Sequence, residues 1–142
     1  MLASVSGCAL FAGNDPDPLT PELRQLERLA EDFYVRLGNR RVDSIATYRD
    51  PGLREFFRSE QDFADYYAAL VRELSQAHFE ANRPTRILVE RLEPDEDGRV
   101  RIELRMYGRN DRPLRWWRAR LRRTDLWERD EADLWRIRPG KV

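Results

Sequence analysis

Residues 99–107 read RVRIELRMY. Val100, Ile102, Leu104 and Met106 alternate with Arg99, Arg101, Glu103, Arg105 and Tyr107. Side chains of a strand point to opposite faces with a period of two, so this stretch predicts an antiparallel strand with one apolar and one charged face. Turn residues bracket it. Glu93 to Gly98 holds Pro94, Asp95, Asp97 and Gly98, and Gly108 to Pro113 predicts the next turn. Upstream, Arg86 to Val89 opens another strand, in which Ile87/Val89 and Leu88/Leu92 compete for the inner face. Downstream, a long strand is expected from Leu114 to about Glu128, with Trp117, Ala119 and Leu121 inward and Trp116, Arg118, Arg120 and Arg122 outward. A turn at Asp130 to Asp133 precedes a last strand, Leu134 to Arg138, with Trp135 and Ile137 inward.

Before His78 the period changes to that of a helix. Thr20-Pro21-Glu22 is a helix start, with an N-cap hydroxyl, a proline at the first position and an acid in the first turn. Leu23, Leu26, Leu29, Ala30, Phe33, Tyr34 and Leu37 then recur at spacings of three and four, up to Gly38. A short helix is expected over Val42 to Tyr48, and a further turn from Asp50-Pro51 through Phe56 and Phe57. Ser59 and Asp62 form a capping-box pattern ahead of a third helix, whose stripe is Phe63, Tyr66, Tyr67, Leu70, Val71 and Leu74. Helices first and an antiparallel meander afterwards predict an α+β fold, with N-terminal helices packed on a curved antiparallel β-sheet.

Composition agrees with a single packed domain. Charged residues make up 37% of the 142, yet aromatics reach 11% with four Trp, more than a disordered chain carries. Acids and bases balance at 26 each, which removes a whole-molecule charge argument for nucleic acid or anionic lipid. The halves differ: residues 1–82 hold 14 acids and 9 bases, residues 83–142 hold 12 acids and 17 bases. One cysteine and one histidine give no intrachain disulfide and no zinc-ligand pattern, and no cofactor motif is present.

The order of elements over residues 20–142, closing on Leu134-Trp135-Arg136-Ile137-Arg138-Pro139-Gly140, resembles the nuclear transport factor two-like (cystatin-like) superfamily. That resemblance implies a roll with a cone between helices and sheet, in a family that spans ketosteroid isomerases, SnoaL-like enzymes and non-enzymatic binding modules. Candidates to line such a cavity are Phe33, Tyr34, Tyr48, Phe57, Phe63, Tyr66, Trp117 and Trp135. The resemblance implies that an enzyme of this kind places an acid, a His or an Asp–Arg pair in the cone, and a His would need a partner. The inward sets of the strands, taken as Val100 to Met106, Trp117 to Leu121 and Trp135 to Ile137, hold no Asp or Glu, and His78 has no partner identifiable from sequence. The reading is therefore a non-catalytic binding or assembly module. The alternatives are a SnoaL-like enzyme or small-molecule carrier using an aromatic cavity, and a nucleic-acid binder.

The third alternative comes from Arg112 to Arg123, where Trp116 points outward beside Arg118, Arg120 and Arg122, near Arg101 and Arg105. An exposed aromatic among arginines suits a partner protein or a second copy, or stacked bases and phosphates. The bland reading is a solvated face on which Glu103, Glu128 and their neighbours pair with those arginines.

The N-terminus adds an address. Val5-Ser6-Gly7-Cys8 resembles a bacterial lipobox, and Ala9 to Leu19, with Gly13, Pro16 and Pro18, reads as a flexible linker. The resemblance implies a signal peptide of which residues 1–8 are the remnant, a diacylglyceryl thioether and an acylated amine on Cys8, and a lipid anchor in the membrane. Ala9 in place of the inner-membrane retention signal Asp implies an outer-membrane lipoprotein facing the periplasm.

Overall fold

The computed structural model describes residues 19–140. The lipobox, Cys8 and all but the last residue of the linker lie outside the described residues. Among the described residues the order is four helices, a 3₁₀ turn and four strands: α1 (Pro21–Leu37), α2 (Ile45–Tyr48), α3 (Pro51–Arg54), α4 (Glu60–Gln76), the turn Glu80–Asn82, then β1 (Arg86–Pro94), β2 (Val100–Arg109), β3 (Arg118–Arg129) and β4 (Trp135–Arg138). The strands form an antiparallel meander in the order β1-β2-β3-β4, open at both edges, with the helices on one face. This is the α+β architecture expected from the sequence.

Both long helices start at the residues that predict them. Thr20 Oγ1 accepts from Leu23 N at 3.2 Å, and Ser59 Oγ accepts from Asp62 N at 3.1 Å. Ser44 does the same for Thr47 N at 3.2 Å, so α2 begins at Ile45, later than expected. Val42, read as helical, instead packs in the core and donates its N–H to Asn82 O at 3.1 Å.

Asp50 caps α3 and binds α1. Its carboxylate accepts from Gly52 N at 2.9 Å and from Arg36 Nε at 3.1 Å, and it pairs with Arg40. Desolvation opposes its charge, but these donors win and hold the carboxyl at about 2. A carboxyl depressed in the folded state contributes stability above its unfolded value of 3.8 and loses that contribution as pH falls toward 2. Asp50→Asn keeps the cap but loses the charge paired with Arg36 and Arg40, so it is expected to be less stable than wild type at neutral pH by about 1 kcal/mol. The gap should narrow between about pH 5 and 2, as read from melting temperatures.

β1 resolves the competition between its two apolar sets. Ile87 pairs with Met106 and Val89 with Leu104; the register then slips, and Arg91 pairs with Glu103 and Leu92 with Ile102. The bulge at Glu90 places Ile87, Val89 and Leu92 on the same, inner face. On β2, Gly108 is required by close approach: a Cβ there would lie 2.6 Å from the Phe79 ring and 2.8 Å from Arg83 O.

β3 starts four residues later than the alternation suggests. Pro113 cannot donate to a ladder, Leu114 adopts a left-handed φ of 61°, and Arg115 N closes a turn on Arg112 O at 3.3 Å. Trp117 thus precedes the strand and does not face inward. It is 45% exposed, with the Arg115 guanidinium 4.5 Å from its ring centre.

The core lies between helices and sheet. α1 contributes Leu26, Ala30, Phe33, Tyr34 and Leu37, α4 contributes Phe63, Tyr66, Leu70 and Leu74, and the sheet answers with the apolar face of β2 and with Trp127, Trp135 and Ile137.

Candidate functional site

The polar centre of the interior is Asp125, 2% exposed on the inner face of β3. Its Oδ2 accepts from Tyr34 Oη on α1 and from Tyr66 Oη on α4, each at 2.6 Å. Its Oδ1 accepts from Arg123 Nε at 2.8 Å, and Arg123 also pairs with Glu73 on α4. Trp127 Nε1 donates to Tyr34 Oη at 3.2 Å, and the Arg123 guanidinium stands 4.7 Å from the Tyr66 ring centre. Burial, followed by the Asp125 charge, raises both tyrosines well above their ordinary values, so they remain hydroxyl donors. Burial works against the charge on Arg123, but Tyr66, Asp125 and Glu73 outweigh it and raise that group above its ordinary value.

The inward register continues past Leu121 to Arg123, Asp125 and Trp127, so, contrary to the expectation from sequence, an acid does lie on the inner face. The signal was present in the period itself. The carboxylate has three charge-assisted or hydroxyl donors and a side-chain exposure of 1%, at the inner wall of a cleft it shares with Glu73 and Arg123. A general base needs a lone pair that substrate can reach. Asp125 instead joins two helices to the sheet.

The cavity candidates meet one another. Phe33 packs edge-on against Tyr34, Phe57, Tyr66 and Trp127, and Phe57 against Phe63 and Tyr66, at ring separations of 5.1–6.1 Å. Tyr48 lies 5.5 Å from Phe63, under the guanidinium of Arg54. Trp135 is buried beneath Arg129. Of these residues, Trp117 alone stands apart. His78 does have a partner: its Nδ1 lies 3.2 Å from Asp111 Oδ1, and its carbonyl accepts from Asp111 N at 2.9 Å. That pair is partly exposed, and sequence could not show it across 33 residues.

The outer sheet face is the other candidate. Arg101, Arg118, Arg120 and Arg122 are exposed, and Trp116 is 88% exposed in the loop before β3. The register sets Arg105 opposite Arg122 and Arg109 opposite Arg118, with Tyr107 between them opposite Arg120. Arg105 finds Glu90 at 2.5 Å. Among the described residues, no carboxylate lies within 4 Å of Arg86, Arg101, Arg109, Arg118, Arg120 or Arg122. Glu128, expected to pair with this face, binds Arg58 at 3.3 Å and Arg138 at 3.6 Å instead.

Two clefts border the face. One, of about 700 Å³, runs beside β3 and is lined by Arg72 and Glu73 of α4 with Arg122, Arg123, Thr124 and Arg138. The other, of about 780 Å³, lies at the sheet end between Arg86, Tyr107 and the Trp116-Trp117 loop. No helix among the described residues is long and apolar enough to cross a membrane. The chain matches no family model, no curated protein and no solved structure.

Proposed function

We propose that the chain is a non-catalytic binding module, tethered to the bacterial envelope through Cys8, whose outer sheet face holds an acidic protein partner. The observation that carries this reading is a row of guanidiniums with no carboxylate within 4 Å among the described residues: Arg86, Arg101, Arg109, Arg118, Arg120 and Arg122. Like charges directly opposite across strands are destabilising, so Arg105/Arg122 and Arg109/Arg118 do not serve the fold. A partner supplying carboxylates turns that cost into attraction, with the exposed Trp116 as an apolar anchor beside it. The same charges argue against a second copy docked face to face. The engaged state of Asp125 supports a non-catalytic role, and the lipobox-like Val5-Ser6-Gly7-Cys8 supports the tether.

The test uses poly-L-glutamate as probe and the triple variant Arg118→Glu/Arg120→Glu/Arg122→Glu. Wild type is expected to bind the probe at physiological salt, and the variant to bind roughly tenfold more weakly or worse. Tighter binding to a single-stranded oligonucleotide, with a steep salt slope, would replace this reading by the nucleic-acid one. The tether is read separately: Cys8→Ala, expressed with its upstream DNA, should leave the membrane fraction and lack a lipid-sized mass.

A further inference from the structure

The direction of the backbone groups on β3 follows from its neighbours. Ile137 donates its N–H to Phe56 O at 2.7 Å, away from β3, so Arg136 and Arg138 face β3 opposite Glu128 and Leu126. On the far side, Tyr107 O accepts from Thr85 N at 2.8 Å, on the β1 side of β2. Met106 and Gly108 therefore face β3, opposite Leu121 and Ala119. Both routes agree that odd-numbered residues of β3 bond to β2 and even-numbered ones point the other way. β4 takes up that other edge only from Leu126 to Arg129. Among the described residues, the main-chain N–H and C=O groups of Arg118, Arg120, Arg122 and Thr124 meet no backbone partner there.

An open edge is a template for another strand, and proteins usually blunt it. The outer edge of β1 carries a bulge at Glu90 and ends on Pro94. The open part of β3 has neither device and keeps unbroken register with β2. Its seven residues, 118–124, offer about 20 Å of edge. The cleft lined by Arg72, Arg122, Arg123, Thr124 and Arg138 runs beside it. Of these, Arg72 and Arg122 have no carboxylate within 4 Å among the described residues. A small anion would satisfy the guanidiniums but leave the carbonyls of the edge without donors. A second copy would set Arg118, Arg120 and Arg122 against themselves. An extended acidic segment satisfies both sets of groups.

We propose that the open edge of β3, from Arg118 to Thr124, binds an extended segment of a partner protein by strand addition, with acidic side chains at alternate positions over Arg118, Arg120 and Arg122. This rests on the acidic-partner reading of the sheet face and specifies its mode. The probe is the capped heptapeptide ETETETE, with KTKTKTK as control, titrated into the full chain. Arg122→Gln removes one charge and keeps the N–H, and should weaken binding a few-fold. Arg122→Pro removes the same charge and the edge N–H, and should weaken it by about tenfold more. Proline is tolerated on an edge strand whose N–H faces solvent, so this variant is expected to fold, which near-ultraviolet circular dichroism checks. Should it unfold, amide exchange on wild type decides, with slowed exchange at Arg120, Arg122 and Thr124 on peptide binding as the supporting result. Equal affinities of a folded Pro variant and the Gln variant, or unchanged exchange at those amides, overturn strand addition while leaving the charged-face reading intact. Failure of wild type to prefer the acidic over the basic peptide overturns both.

Discussion

Asp125→Ala is expected to lower the unfolding free energy by about 3–5 kcal/mol, the range for breaking a buried ion pair from one side. The loss is not that of one hydrogen bond. Arg123 would keep its charge with only Glu73 beside it, while Tyr34 and Tyr66 would each lose their acceptor in the interior. Tyr34→Phe and Tyr66→Phe should each cost less, about 1–2 kcal/mol, because the carboxylate retains its other donors. The informative comparison is Asp125→Leu combined with Arg123→Met. Replacing both partners with apolar groups removes the charge together with its counter-charge, and should recover most of the loss. Urea midpoints at constant slope measure the series. A cost for Asp125→Ala below about 1 kcal/mol would mean that the carboxylate is not the joint described here.

Trp127→Ala carries the other large effect, again about 3–5 kcal/mol, for a different reason. Trp127 is 0% exposed, and its ring meets Phe33, Tyr34 and Phe56 edge-on at 5.9–6.4 Å. Those three rings cannot all move inward to fill the space, since two belong to α1 and one follows α3. Trp127→Phe keeps part of the volume and loses the bond from Nε1 to Tyr34, so a smaller cost is expected. Fluorescence gives a second readout: Trp116 and Trp117 are exposed, so Trp127→Ala should remove much of the blue-shifted emission, leaving Trp135 as the buried contributor.

The sheet was legible where one face stays apolar for the whole strand, as on β2. It was less legible where a strand changes rule midway. On β1, a bulge reconciles two apolar sets that a strict period of two makes exclusive. On β3, alternation counted from Leu114 puts Trp117 inward, but the turn from Pro113 onward delays the strand to Arg118, and the inward register continues past Leu121 to Asp125. Arg123 and Asp125 resemble surface alternation until their partners are known, and those partners are far away in sequence. The sequence marks Tyr34 and Tyr66 as aromatics of a cavity; that their hydroxyls both bind Asp125 depends on a partner 91 and 59 residues away. The arginine-rich face followed directly from alternation, because its residues belong to the side of the sheet that helices do not cover. That six of its arginines have no carboxylate within 4 Å among the described residues did not follow, since Glu128 had the sequence position to pair there and bound Arg58 and Arg138 instead.

The joint at Asp125 also sets an order of events during synthesis. Tyr34 and Tyr66 are made 91 and 59 residues before their acceptor. A nascent chain carrying α1 through α4 has an apolar stripe on each long helix and no sheet to cover it, and contacts so distant in sequence close late. The bonds that fix α1 and α4 to the sheet through Asp125 form only once β3 has been made. For the envelope address proposed above, late closure of these contacts suits export of an unfolded chain.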